Sequence, residues 1–244
     1  RQMCIRDRKE TDIDEFDVDP QTPYQQLIVW DPQEQEIIGG YRFLLGENIK
    51  MDENGVPHIA MSHMFKYSPK FIKEILPYTI ELGRSFVSVE YQSTKAGAKA
   101  LYALDNLWDG LGALVVVYPQ IKYLFGKMTM YPSYPMECRN MILYFLDKYF
   151  HDDEKLVEPI QPLDANINVA RMQRLFVGGS FKEDYKILNT QVRAAGFNIP
   201  PLVNSYMNLS PKMRMLGTAI NDEFGDVEDC LLYTSDAADD RISV

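Results

Sequence analysis

The apolar run at residues 79–89 constrains this chain most, because it has the composition of a β-strand and still carries charges. Aliphatic side chains at this density favour a pleated, half-buried surface. An ionised group inside such a surface is costly unless it is paired, hydrogen-bonded or used on a ligand. Glu81 and Arg84 have opposite parity on a regular strand, so they share a face only if Gly83 introduces a bulge. The run predicts either a functional site containing both charges or a structural ion pair.

The two ends of the chain look foreign to the rest. Residues 1–8 (RQMCIRDR) and 230–244 (CLLYTSDAADDRISV) resemble translated sequencing-adapter read-through, and we treat both as non-native tails. Residues 9–229 are then expected to form a single domain, with a helical insertion at about 136–176. The charges of the two tails cancel, so this body keeps the net charge of -10 of the whole chain.

Composition excludes several classes of protein. A hydrophobic content of 46% is typical of a globular fold. The most apolar stretch, residues 111–118, is far shorter than the roughly 20 residues that span a bilayer. The acidic balance argues against nucleic-acid binding, which depends on neutralising phosphates. The candidates for a local basic patch are Lys122, Lys127, Arg139 and Lys148.

Cysteine and histidine usage gives no sign of a metal site. Cys138 is the only cysteine outside the two tails, and it belongs to no metal-ligand spacing, so we expect no metal and a reducing, cytoplasmic compartment. His58, His63 and His151 share no spacing or sequence context with a partner, which favours surface roles over catalysis.

Hydrophobic spacing predicts a mixed order of strands and helices. Apolar runs bounded by turn residues predict strands at residues 24–30, 36–45, 79–89 and 121–130. Helical spacing, with Pro or Gly at several ends, predicts helices at residues 68–76, 101–118, 141–149, 181–195 and 200–208. A closing strand pair begins at Met213, and we expect the C-terminal tail to interrupt its second strand. This order favours an α/β fold with a mixed sheet.

Several short motifs occur in the order seen in GNAT-type N-acyltransferases. They are Asp14-Glu-Phe-Asp17, Gly40-Tyr-Arg42-Phe-Leu-Leu45, Glu81-Leu-Gly-Arg-Ser85, Leu107-Trp108, Tyr123-Leu-Phe-Gly126, Pro200-Pro-Leu and Glu223-Phe-Gly225. Across residues 11–229 the chain resembles the acyl-carrier-protein-dependent enzymes that make amino-acid lipids. These are the glycine-lipid and ornithine-lipid synthases, often labelled "hemolysin". The chain is more remotely similar to acyl-homoserine-lactone synthases.

This resemblance implies a GNAT-like acyl-CoA N-acyltransferase fold, with a central mixed, splayed sheet flanked by helices. It also implies that Asp14, Asp17, Arg42, Glu81 and Arg84 line the reaction cleft. Glu81 is the candidate base, acting directly or through a water. Arg42 or Arg84 is the candidate for holding the substrate carboxylate. Asp14 and Asp17 are expected to hold the substrate ammonium or to order the N-terminal loop.

The resemblance also places the acyl donor. In such folds the thioester enters between two splayed strands, here those that contain Arg84 and Phe125, and meets backbone N–H groups at residues 86–88, namely Phe86, Val87 and Ser88. Residues 92–98 only loosely echo the loop that cradles coenzyme A phosphates. We therefore expect no permanently bound cofactor and the acyl-phosphopantetheine of an acyl carrier protein as donor substrate. An acidic carrier would dock on a local basic surface.

Together these expectations describe an acyltransferase. It would move a 3-hydroxylated fatty acyl group from acyl carrier protein to the α-amine of a small amino acid, glycine or ornithine, and make a lyso amino-acid lipid. An acyl-homoserine-lactone synthase and a non-enzymatic, membrane-active hemolysin-like protein are the alternatives. A peripheral contact with the inner face of the membrane is left open. The assignment fails if the Glu81 carboxylate is sealed inside the protein, or if it points outward with no crevice beside it.

Overall fold

A computed structural model describes residues 19–20, 22–91, 98–222 and 225–235. Asp14, Asp17 and residues 92–97 of the expected phosphate loop lie outside these ranges. The chain divides into two compact units. Of the described residues, the first unit contains those up to Ser62 together with Pro69–Gly126, and the second contains His63–Ser68 together with those from Lys127 to Ser235.

Both units contain strands as well as helices. The strands are β1 (Gln25–Asp31), β2 (Glu36–Leu45), β3 (Phe65–Tyr67), β4 (Thr79–Val87), β5 (Tyr123–Met130), β6 (Val157–Pro159), β7 (Arg214–Asn221) and β8 (Val227–Ser235). The α-helices are α1 (Ala98–Val117), α2 (Met136–Phe150), α3 (Val169–Leu175), α4 (Phe181–Ala194) and α5 (Pro201–Leu209). The mixed α/β class expected from the sequence is confirmed.

The first unit contains a mixed sheet in the order β1, β2, β4, β5. Strands β1, β2 and β4 are antiparallel neighbours, whereas β4 and β5 run parallel. The strands predicted at residues 24–30 and 36–45 form the hairpin β1–β2, in which the Asp31 side chain accepts hydrogen bonds from the N–H groups of Gln33 and Glu34 and so fixes the turn.

Helix α1 covers one face of this sheet. The Tyr41 hydroxyl donates to the Leu107 carbonyl over 3.2 Å. Gly110 lies so close to β1 that a Cβ there would approach Leu27 Cδ2 to 2.8 Å. Residues of opposite parity on β2 and β4, including Arg42 and Glu81, therefore face away from α1. That second face carries the candidate site.

The segment predicted as a helix at residues 68–76 is helical but irregular. It contains a π-helical turn at Phe71–Ile75, followed by a 3₁₀ turn at Leu76–Tyr78. π-helical turns are rare and occur frequently at functional sites. Phe71 packs on Phe125 with ring centroids 5.2 Å apart, which places this turn against the sheet face that carries Glu81.

The second unit combines β-structure with a helical core. Strand β8 pairs antiparallel with β7, and β3 pairs antiparallel with β6. Helix α2 contributes a stripe of fully buried residues at helical spacing, among them Ile142, Phe145 and Leu146. Burying each such side chain contributes roughly 1.5–3 kcal/mol. The stripe confirms the helix predicted at residues 141–149.

Two expectations need correction in the second unit. Strand β8 continues through Cys230 to Ser235, so the second strand of the closing pair is not interrupted where we placed the tail. The segment Cys230-Leu-Leu-Tyr-Thr is rich in strand-forming side chains, and Cys230, Leu231 and Leu232 are fully buried. The insertion at 136–176 is not wholly helical, because β6 lies between α2 and α3.

Within the described ranges, no helix has both the length and the apolar character that crossing a bilayer would require.

Candidate active site

Arg42 and Glu81 lie on the same face of the first unit's sheet. Arg42 is directly opposite Gly83 across the β2–β4 pair, and Leu44 is opposite Glu81. Because side chains alternate with period two, Arg42 and Glu81 are diagonal neighbours. Register alone therefore brings together two charges that are 39 positions apart in the sequence.

Gly83 provides the space that the Arg42 side chain occupies. A Cβ built at position 83 would lie 3.4 Å from Arg42 Nε and 3.7 Å from Arg42 Cγ. These are the closest atoms to that position, and both distances are ordinary van der Waals contact. The Arg42 side chain therefore passes beside Gly83, and a side chain longer than a methyl group there would compete with it for space.

Tyr24, just before β1, completes the cluster. The Arg42 guanidinium carbon lies 4.4 Å from the centroid of the Tyr24 ring, a cation–π distance. Arg42 and Glu81 expose only 3% and 2% of their surface, and the Tyr24 hydroxyl, Arg42 Nε and Glu81 Oε2 are all buried. Charges at this depth are tolerated when they compensate one another. Tyr24, Arg42 and Glu81 are hereafter the buried triad.

The triad changes the acidity of its phenol. Burial raises the pKa of Tyr24 far above its ordinary value, and the negative charge of Glu81 and hydrogen bonding with that carboxylate raise it further. Arg42 and the Ala60 backbone act in the opposite direction but do not offset the rise. Tyr24 therefore stays protonated at neutral pH and can offer its proton to the carboxylate.

Arg84 occupies a strained bulge next to the triad. Residues Gly40 and Arg42 of β2 face Phe86 and Gly83 of β4, so two residues of β4, Arg84 and Ser85, oppose one residue of β2. Arg84 has φ of 51°, a left-handed conformation that is uncommon outside glycine. The expected bulge is present, but it lies at Arg84 and not at Gly83. Strain of this kind clusters at ligand-binding and catalytic sites.

Strand β4 extends beyond its pairing with β5. The parallel register runs from Thr79 with Tyr123 to Leu82 with Gly126, and β4 continues to Val87. The Ser88 N–H donates to the Ile38 carbonyl over 2.8 Å, so it is engaged with β2 and is not directed at a donor thioester. Strand alternation directs the Val87 N–H to the opposite edge. This observation removes Ser88 from the expected set of donors.

The predicted site residues therefore do not all lie in one cluster of the described structure. It brings Arg42 and Glu81 together and places Arg84 on the adjacent bulge, while Asp14 and Asp17 lie outside the described residues. The expected crevice beside the Glu81 carboxylate stays a prediction, because Glu81 exposes only 2% of its surface and has Tyr24 beside it. The sequence analysis missed Tyr24, because a tyrosine 57 positions from Glu81 carries no local signal of that contact.

The four cations expected to form a basic patch are mostly paired with carboxylates. Lys127 is paired with Asp229, Arg139 with Glu228, and Lys148 with Asp184. Lys122 lies 5.0 Å from the centroid of the Tyr78 ring. Internal carboxylates therefore compensate three of the four expected cations, and these side chains serve the second unit's own structure.

Known proteins define the class of the chain. A family profile described as an acetyltransferase (GNAT) domain matches residues 2–102. A protein of Phocaeicola vulgatus named "Glycine N(alpha)-acyltransferase" is 62% identical over 221 residues, which cover 91% of this chain and 68% of that protein. A protein of Bacteroides thetaiotaomicron with the same name is 63% identical over 218 residues, covering 89% and 64%. No solved structure gives a significant match.

The GNAT domain and the mixed sheet of the first unit agree on an acyltransferase fold. The chain belongs to the GNAT family of amino-acid N-acyltransferases. It spans about two thirds of the length of the curated relatives.

Proposed function

We propose that this protein transfers a fatty acyl group from acyl carrier protein to the α-amine of glycine. The buried triad is the observation that carries this proposal, because it combines a carboxylate, a phenol and a planar cation on one sheet face. The names of the two relatives support glycine as the acceptor. The product would be a lyso amino-acid lipid, with a 3-hydroxyacyl chain as the donor group that the family resemblance favours.

Glu81 is the proposed base. Glycine carries an ammonium at neutral pH, and its nitrogen can attack a thioester only after losing a proton. That proton passes to the Glu81 carboxylate directly, through a water, or through Tyr24. In the last case the Tyr24 oxygen takes the ammonium proton while its own proton moves to Glu81. Burial and the negative charge of Glu81 raise the pKa of Tyr24, which disfavours a phenolate and favours moving the two protons together.

The bond changes then follow the usual course of acyl transfer. The free amine attacks the thioester carbonyl and forms a tetrahedral intermediate with a negative oxygen. Backbone N–H groups at such a position are worth several kcal/mol of barrier. The Val87 N–H stays a candidate for this role because the family resemblance implies it. The nitrogen of this intermediate then loses its second proton as the C–S bond breaks and the amide forms, and the thiolate leaving on the phosphopantetheine takes up that proton.

Arginine is the proposed anchor of the acceptor. A glycine carboxylate fits the two parallel N–H groups of a guanidinium. Arg42 contacts the Tyr24 ring and passes beside Gly83, and these contacts preorganise its guanidinium. Arg84 is instead positioned by the bulge on which it lies. Replacing Arg42 with Lys keeps the charge and removes the fork, so it should raise the KM for glycine more than it lowers kcat.

The test uses the full chain, purified and supplied with 3-hydroxyacyl carrier protein. Glycine, ornithine, serine and alanine are offered in parallel, and the lipids are identified by mass spectrometry. We expect an acylated glycine that disappears in Glu81→Gln. An acylated ornithine without acylated glycine would overturn the choice of acceptor, and no acylated amine from any of the four would overturn the function.

A further inference from the structure

Helix α4 carries three cations on one outward line. At 100° per residue, Lys182, Lys186 and Arg193 lie within about 40° of one another around the helix axis. They extend over about 16 Å along it. All three are exposed, while the opposite side of the helix is buried through Asp184, Leu188 and Val192. The three cations are hereafter the α4 stripe.

The α4 stripe differs from the other basic residues of the second unit. Lys127, Arg139 and Lys148 are each paired with a carboxylate. In the part of the chain that the structure describes, no carboxylate forms an ion pair with a member of the stripe. The neighbouring Glu183 is held at the helix start, where the Ser180 hydroxyl donates to it over 2.9 Å. The stripe is thus a positive surface on a chain with a net charge of -10.

We infer that the α4 stripe is the docking surface for the acidic carrier protein that delivers the acyl thioester. This inference rests on the proposed function for the identity of the donor. Charge complementarity carries it, because a helix-length line of unpaired cations matches a line of carboxylates on an acidic protein. The repulsion between two acidic bodies makes such a local surface necessary for encounter.

An anionic membrane is the competing partner for a basic helix. Helices that lie on membranes insert an apolar face beside their cations. The apolar side of α4 is already used, since Leu188 and Val192 are fully buried in the hydrophobic cluster of the second unit. Thr190, which lies between Lys186 and Arg193 on the exposed surface, is polar. The surface therefore fits a hydrated protein partner.

A direct binding measurement tests whether the α4 stripe docks the carrier protein. The probe is purified acyl carrier protein in its phosphopantetheine form, titrated into the full chain by calorimetry at low and moderate salt. The test variant combines Lys182→Glu, Lys186→Glu and Arg193→Glu. The matched control combines Lys50→Glu, Lys66→Glu and Lys73→Glu, which are exposed, lie outside α4 and change the net charge equally.

We expect the α4 variant to weaken carrier binding at least about tenfold and to lose most of its salt dependence, while the control changes it less than about twofold. Equal weakening in both variants would overturn the inference, since net charge alone would then explain binding. Vesicles with 30% phosphatidylglycerol form a third arm. If the α4 variant loses vesicle binding and keeps carrier binding, the stripe is a membrane contact and the inference is overturned.

Turnover separates this inference from the function on which it rests. With a small acyl-pantetheine donor, the α4 variant should match the wild-type kcat/KM, and with the carrier its KM should rise about tenfold. No transfer by the wild type from either donor would defeat the proposed function, while the binding comparison would still decide the docking surface. A loss of turnover with the small donor as well would assign α4 to catalysis or folding and would overturn docking.

Discussion

Buried carboxylates occur in both units, but their surroundings differ. In the second unit, the fully buried Asp184 accepts hydrogen bonds from Lys148 Nζ at 2.6 Å, the Tyr149 hydroxyl at 2.7 Å and the Gly178 N–H at 2.7 Å. Asp229 is held in the same way by Lys127, Thr129 and Asn221. In the first unit, Glu81 lies beside Tyr24 and Arg42, close to a strained bulge.

The comparison teaches that burial alone does not mark a catalytic carboxylate. Asp184 lies on α4 and is surrounded by fixed donors from α2 and from a loop backbone, so it holds α4 against those segments. Glu81 shares its face with a phenol that can pass a proton and a guanidinium that can hold a carboxylate. We therefore assign chemistry to the first unit's carboxylate and structure to the second unit's.

The largest effect is expected for Glu81→Gln. The substitution keeps the shape and removes the base, so kcat/KM for glycine should fall about 10²- to 10⁴-fold. The thermal midpoint should stay near the wild-type value. Asp184→Asn is the matched control, since it also neutralises a buried carboxylate. Wild-type turnover in Glu81→Gln would break the comparison.

Asp184→Asn should instead reduce stability, by about 3 kcal/mol in denaturant unfolding, because it breaks a buried ion pair. Burial alone would raise the pKa of Asp184, but the hydrogen bonds from Lys148, Tyr149 and Gly178 outweigh it and lower the pKa. The stabilisation is therefore full above about pH 4 and is lost as pH falls through the folded-state pKa.

The pH series sharpens this second prediction. The stability difference between wild type and Asp184→Asn should be constant from pH 6 to 8 and shrink below about pH 4. Turnover per folded molecule should remain within a few-fold of wild type. A large loss of turnover in a folded Asp184→Asn protein would show that the second unit also carries chemistry.

Tyr24→Phe should have a smaller effect on activity than Glu81→Gln. It keeps the ring under Arg42 and removes the hydroxyl beside Glu81, so kcat/KM should fall about tenfold, in line with one hydrogen bond to a charged group. The acid limb of the kcat/KM profile should move to higher pH, because the carboxylate loses a donor. Tyr24→Leu, which also removes the ring, should raise the KM for glycine. An unchanged pH profile in Tyr24→Phe would show that the Tyr24 hydroxyl has no effect on Glu81 and that Tyr24 contributes only through packing.

The smallest effect is expected at His151 on the surface of the second unit. The hydrogen bond with Asp147, at 2.7 Å, raises the pKa of His151 above its ordinary value. Its contribution is full below about pH 6.5 and is lost as pH rises through the folded-state pKa. Because 59% of the side chain is exposed, His151→Gln should cost less than about 0.5 kcal/mol at pH 6 and nothing at pH 9. A larger loss of unfolding free energy would mean that this exposed pair stabilises the protein as much as a buried pair does, which would contradict the comparison.

Local patterns in the sequence determined most of the secondary structure. The strand predicted at 36–45 is β2, and the helix that stops before Pro119 is α1, since Pro cannot continue a helix. Two charges on an apolar strand also identified Glu81 and Arg84 as unusual. These features can be recognised in the sequence because each arises from residues within a few positions of one another.

Tertiary structure alone decided which charges meet. The register of β2 on β4 joined Arg42 to Glu81, and the approach of the chain before β1 added Tyr24. Long-range pairing also neutralised Lys127 and Lys148 and left the α4 stripe exposed. The physical reason is that hydrophobic periodicity specifies which face of an element is buried, whereas the identity of the neighbour across that face depends on how distant segments pack.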